Sequence, residues 1–184
     1  MTYYGGKELA AAFRTVRKNT VRIANEIPED KYDFKAAADT RSIRETLVHI
    51  AFGTTFASHV HMNKIDDMKK VNFQELMQKV NAEQAKPRGK ADIVALLEAE
   101  GEKFASYLEG LPESFLAETV TMMPGGQPGT KSRFELLLGA KEHEMHHRAQ
   151  LMVLERMIGI VPHLTREFQE RMARMQQAGQ AQQR

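Results

Sequence analysis

Apolar residues along this chain recur at alternating steps of three and four, the spacing of helices with one buried face. Over 6–27 the stripe is Leu9, Phe13, Val16, Thr20, Ile23 and Ile27, and Pro28 stops it. Over 42–63 it is Ile43, Leu47, Ile50, Thr54 and Ala57, opened by a capping box of Ser42 and Glu45. A third stripe over 90–109 carries Ile93, Leu97, Phe104 and Leu108, reaches Leu111, and meets Gly110 and Pro112. The fourth, 132–158, starts at a second capping box, Ser132 to Glu135, and ends before Gly159 and Pro162. Its inward stripe is Leu136, Ala140, His143, His147, Leu151, Leu154 and Ile158, over about seven turns.

Between these segments the period fails. Residues 28–41 form a connection, and 64–89 a long crossover with a short helix at 72–80 and the linker AKPRGK. The run ETVTM alternates, and PGGQPG is turn chemistry, so 117–131 is expected to be a small hairpin or ordered loop. From His163 onward, Leu164, Phe168, Met172 and Met175 keep helical spacing, and QQAGQAQQR then reads as disordered. The expected architecture is all-α. It is a four-helix bundle in up-down-down-up order, with the crossover between helices 2 and 3. Residues 1–162 make the bundle domain and 163–184 a C-terminal helical tail. The stripe of that tail has no place once four helices close, which points to a homodimer.

Composition narrows the function. A length of 184 residues suits one domain with a sizeable core. The formal charge of +2 and the lack of a Lys/Arg run give no footprint for nucleic acid. The first residues, MTYYGGKELA, lack the pattern of a signal peptide, and no apolar run suits a membrane span. The expectation is a cytoplasmic protein. There is no cysteine, so thiolate ligands and a nucleophilic thiol of the chain's own are excluded. Any metal must be held by His, Asp, Glu and water.

Candidate chemistry lies on the fourth helix. His143 and His147, four apart, project side by side from the inward face, where leucine would stabilise more. A buried imidazole without a partner costs roughly 1–3 kcal/mol. His49, on the edge of the second stripe, is the best third ligand. Gly53, one turn on, either leaves room beside the imidazole or permits close helix packing. A His143–His146 pair is the competing register, but it leaves His147 in the core unexplained. His59, His61, His146 and His163 read as solvated or capping, and Arg148 as a surface or interface charge. Glu45, Glu100 and Gln150 are the residues placed to support the site. Three imidazoles suit Zn, Ni, Cu or Fe.

The runs HEMHHRAQLMVLERMIGIVP, SIRETLVHIA and PEDKYDF resemble the DinB-like metalloenzymes over nearly the whole chain to Pro162. The family pattern, HxxxHRxQ before a Gly-Ile-x-Pro ending, falls on His143, His147, Arg148, Gln150, Gly159, Ile160 and Pro162. Ala149 stands where Gly is common. The resemblance places the first ligand of the family at His49. It implies a bundle holding one divalent ion, typically nickel or zinc, frequent homodimers, and a link to thiol-dependent S-transferases. The family name reflects DNA-damage induction and implies no DNA binding. The expected activity is transfer of a low-molecular-weight thiol to a small electrophile. The alternatives are a hydrolase using water activated by the ion, and a non-catalytic metal-binding protein.

Overall fold

A computed structural model describes residues 4–181. Four long helical segments make the bundle: α1 (Gly6–Glu26), α2 (Ile43–Phe52) with its continuation α3 (Thr55–Met62), α5 (Lys90–Glu109) and α7 (Arg133–Met157). α4 (Phe73–Gln84) lies in the crossover and extends past the expected 72–80. A short α6 (Glu113–Ala117) precedes the antiparallel pair β1 (Thr119–Thr121) and β2 (Thr130–Ser132). α8 (His163–Ala181) closes the described chain. It stays helical through Gln176–Ala181, where disorder is expected from composition; Gln182–Arg184 lie outside the described residues.

Sequence-local chemistry explains the starts of α2 and α7. Ser42 Oγ accepts from Glu45 N–H at 3.1 Å, and the Glu45 carboxylate accepts from Ser42 N–H at 2.6 Å. Ser132 and Glu135 do the same at 3.2 and 2.8 Å. The second bundle helix does not run unbroken through 42–63. It breaks at Gly53 and Thr54, the two residues between the end of α2 at Phe52 and the start of α3 at Thr55.

The helix directions follow from contacts. The Cβ position of Gly6 faces the carbonyls of Leu108 and Leu111, and Lys90 Nζ donates to Ile27 O, so α1 and α5 are antiparallel. Tyr4 packs on Phe134 and Arg17 reaches Glu144, so α7 runs parallel to α1. Arg44 donates to the Arg88 carbonyl at 2.5 Å, which sets the starts of α2 and α5 side by side. This is the up-down-down-up order. α1 and α2 each pack against both α5 and α7.

The core follows the apolar stripes. Every residue of the α1 stripe is buried, as are Ile43, Leu47, Ile50, Thr54 and Ala57 of the second. On α7 the buried leucine of the first turns is Leu137, and Leu136 is half-buried. One apolar cluster joins α1, α2, α5 and the C-terminal half of α7. Another joins α1, α3, α5, α6 and the N-terminal half. His143 and His147 lie along α7 between the two, with His49 on α2. No described helix is long and apolar enough to cross a membrane.

Candidate metal centre

His49 projects from α2 toward α7, where His143 and His147 stand one turn apart. One nitrogen from each ring lies within 4.8 Å of the others, and this is the metal-competent group found among the described residues. The ring centroids are 4.6 to 5.0 Å apart, and His49 Nε2 lies 3.1 Å from His143 Nε2. His147 is buried, and the other two are half-buried.

Gly53 makes this approach possible. A Cβ there would sit 2.8 Å from His143 Nδ1. The room is thus for the imidazole across the helix interface, not for that of His49. Gln150 orients the third imidazole: its Oε1 accepts from His147 Nδ1–H at 2.8 Å. Its amide also lies 3.1 Å from His146 Nε2 and donates to it. With Nδ1 protonated, His147 keeps its lone pair on Nε2.

All three imidazoles are held neutral. Burial first, then the Arg41 charge, then the neighbouring histidines push His49 down to about 4. Burial leads again in lowering His143 and His147, with His146 and Arg41 adding to it. Neutral rings offer lone pairs at neutral pH, as a metal requires. The buried Nδ1 of His49 has no hydrogen-bond partner. Three neutral, converging donors with one ring tautomer fixed from behind fit a divalent ion, and Zn and Ni both accept this donor set.

The other expected support residues lie elsewhere. Glu45 caps α2 and pairs with Lys35 at 3.2 Å. Glu100 pairs with Lys103 at 3.6 Å. His61 and His163 are buried, not solvated. His61 Nδ1 accepts from the Arg133 guanidinium at 3.3 Å, and burial with that charge pushes its pKa down to about 4. His163 Nε2–H donates to Asn19 Oδ1 at 3.2 Å. His146 is exposed, as expected, and His59 is half-buried. Arg148 is half-buried, and its Nε has no partner.

The sequence reading missed a buried ion pair beside the triad. Glu144 accepts from Arg17 Nε at 2.9 Å and from Thr20 Oγ1 at 2.7 Å. Arg17 also donates to the carbonyls of Leu97 at 2.6 Å and Ile50 at 3.3 Å, tying three other helices to α7. Glu144 and Arg17 stand next to stripe positions His143 and Val16, and that adjacency was the available signal.

The sequence pattern of the DinB family matches residues 1–181. The chain belongs to the DinB family. Among its relatives is YjoA of Bacillus subtilis, an uncharacterized protein 28% identical over 152 residues, which are 83% of this chain and 90% of that one. The crystal structure of YjoA, described as a DinB-like protein, superposes with a TM-score of 0.61 at 24% identity, covering 83% and 92% of the two chains. YfiT of Bacillus subtilis superposes with a TM-score of 0.64 at 11% identity, covering 87% of this chain and 91% of that one. It is described as a probable metal-dependent hydrolase with an unusual four-helix bundle topology. At these identities the two structures speak for the DinB-family fold alone.

Proposed function

We propose that this DinB-family protein is a divalent-metal-dependent enzyme, with His49, His143 and His147 as ligands to one nickel or zinc ion. The observation that carries this reading is the convergence of three neutral imidazole nitrogens within 4.8 Å, with His49 and His143 in the wall of a cavity. A bound divalent ion supplies Lewis acidity and lowers the pKa of a protic ligand. Gln150 holds the His147 ring in the ligating tautomer. Three protein ligands leave positions for other molecules, as in catalytic rather than structural sites. Metal analysis of the purified protein beside His147→Ala and His146→Ala tests the assignment. Loss of metal in His147→Ala with retention in His146→Ala is expected, and the reverse overturns it.

The reaction we assign is transfer of a low-molecular-weight thiol to a small electrophile in the cytoplasm. One hollow of about 460 Å³ is lined by His49 and His143, and another of about 660 Å³ is lined by none of the three histidines but by Thr46 and by Gln150, which holds His147. Two hollows suit two reactants. The chain has no cysteine, so the thiol is brought in. The description of YfiT favours a second reading, hydrolysis by an activated water. Assay of metal-loaded protein on an electrophile panel, with and without small thiols, separates them. Thiol-dependent product is expected; metal-dependent product without thiol means hydrolysis. Absence of turnover in both arms leaves a non-catalytic metal-binding protein.

A homodimer is part of the same reading, with 1–162 as the bundle and 163–184 as the pairing segment. The first turns of α8 dock on α1 through Arg166–Glu26 at 2.8 Å and an Arg22–Glu167 pair. Beyond them Phe168, Met172 and Met175 are exposed. Sedimentation of the full chain is expected to give a dimer that truncation after Pro162 converts to monomer. A monomeric full chain at micromolar concentration rejects it.

A further inference from the structure

Arg41 is the last residue of the connection leading into α2, next to the N-cap Ser42. Most arginines around the site have assigned partners. Arg17 holds Glu144, Arg44 holds Asp33, Arg88 holds Glu83 and Arg133 holds Glu118. Among the described residues, no ion pair or hydrogen bond engages the Arg41 guanidinium. It is exposed, and it lines the cavity of about 460 Å³ together with His49 and His143.

The chemistry of that cavity is one-sided. Arg41 is its charged residue, and no carboxylate lies in its walls. Asn81 and Gln84 of α4 add amide groups on the same side as Arg41. Apart from Thr55 and the two histidines the rest is apolar, with Phe56, Met77 and Leu136 among its larger walls. Asp39 and Glu45 line an adjoining hollow with Arg41, and neither pairs with it. The Arg41 charge is also felt at all three imidazoles.

A guanidinium beside three metal-binding imidazoles opposes loading of a dication by like-charge repulsion. An anion seated between the guanidinium and the site removes this repulsion. The planar fork of arginine matches a carboxylate or a tetrahedral oxyanion through two parallel hydrogen bonds.

We propose that Arg41, aided by Asn81 and Gln84, binds an anionic group of the substrate, whose apolar body lies against Phe56, Met77 and Leu136 with its reactive end at the histidine triad. The substrate class is therefore a small amphiphilic acid. This rests on the metal-enzyme reading above, with Arg41 as a specificity-determining residue.

The test compares full-length cobalt-loaded wild type, Arg41→Gln and Arg41→Lys. Each is titrated with β-mercaptopropionate and with its neutral amide, and the visible spectrum of the cobalt is followed. Wild type is expected to prefer the acid by about tenfold, the scale of one charge-assisted contact. Arg41→Gln loses that preference while its cobalt content is no lower than that of wild type and its affinity for the amide is kept, and Arg41→Lys falls between. Equal preference in wild type and Arg41→Gln overturns the proposal, as does the absence of preference in wild type. Replacing the acid by the matching sulfonate tells a carboxylate site from a tetrahedral-oxyanion site. A wild type that takes up no cobalt overturns the metal reading instead. In that event, metal-free protein is titrated with succinate and with succinamide, and NMR of the His49 and His143 ring protons decides on Arg41. Shifts with succinate that vanish in Arg41→Gln support the subsite, and shifts unaffected by the substitution overturn it.

Discussion

A glycine at position 53 sets how near two helices bring their imidazoles. Its backbone is ordinary right-handed helix, so an alanine there meets no backbone strain. It does meet His143, whose Nδ1 lies 2.8 Å from the added carbon. Alanine favours helix over glycine by about 1 kcal/mol. Gly53→Ala is therefore expected to keep the melting temperature within a few degrees and to weaken metal binding about tenfold, measured by competition with a chelator. Unchanged affinity means that His143 is not a ligand or moves freely. Glu155 gives the second prediction. It is fully buried, and neither carboxylate oxygen has a partner. Burial, then the Glu26 charge, pushes its pKa up to about 7. A carboxyl whose folded pKa is raised stabilises the fold below its ordinary range and loses that contribution as pH rises through 7. Glu155→Gln should match wild type near pH 5 and exceed it near pH 8, by up to roughly 3 kcal/mol. A difference in stability that does not change with pH rejects this. The histidines proposed as ligands were legible because two imidazoles interrupt an apolar stripe. Glu155 and Glu144 were not, because a carboxylate beside a stripe reads as solvated until its neighbours are known.

At the scale of elements, capping boxes and apolar stripes located the four bundle segments to within a residue or two. Local chemistry writes those boundaries. The break between α2 and α3 was hidden because the stripe runs through it: Ile50, Thr54 and Ala57 are all buried. The α1 stripe was read without Arg17, whose side chain crosses the core to Glu144. Gly101 on α5 clears its path, since a Cβ there would lie 2.6 Å from Arg17 Cγ. Breaking a buried pair leaves one charge uncompensated and costs about 3–5 kcal/mol, whereas replacing both partners with apolar groups recovers much of it. Arg17→Met should lower stability to urea by that amount, and Arg17→Met with Glu144→Leu should restore part of it. Additive losses in the double variant reject this account of the pair.

For the whole molecule, the bundle order followed from connection lengths, because a long crossover joins the parallel pair α2 and α5. The packing of the tail was not legible: its apolar residues share a stripe, but its docking on α1 uses Arg166 and Glu167, which show no pattern. The two halves of the triad stand 94 residues apart in sequence. A flexible chain almost never brings such distant groups together, so an ion meets three converging imidazoles only after the helices have packed. Metal affinity is thus coupled to folding: a metal concentration a hundredfold above Kd should raise the unfolding free energy by about 2.7 kcal/mol. Adding zinc should raise the melting temperature of wild type and leave that of His49→Ala unchanged, as read by calorimetry. If zinc gives that shift, the ion acts as a late clasp, closing on a bundle that has already packed.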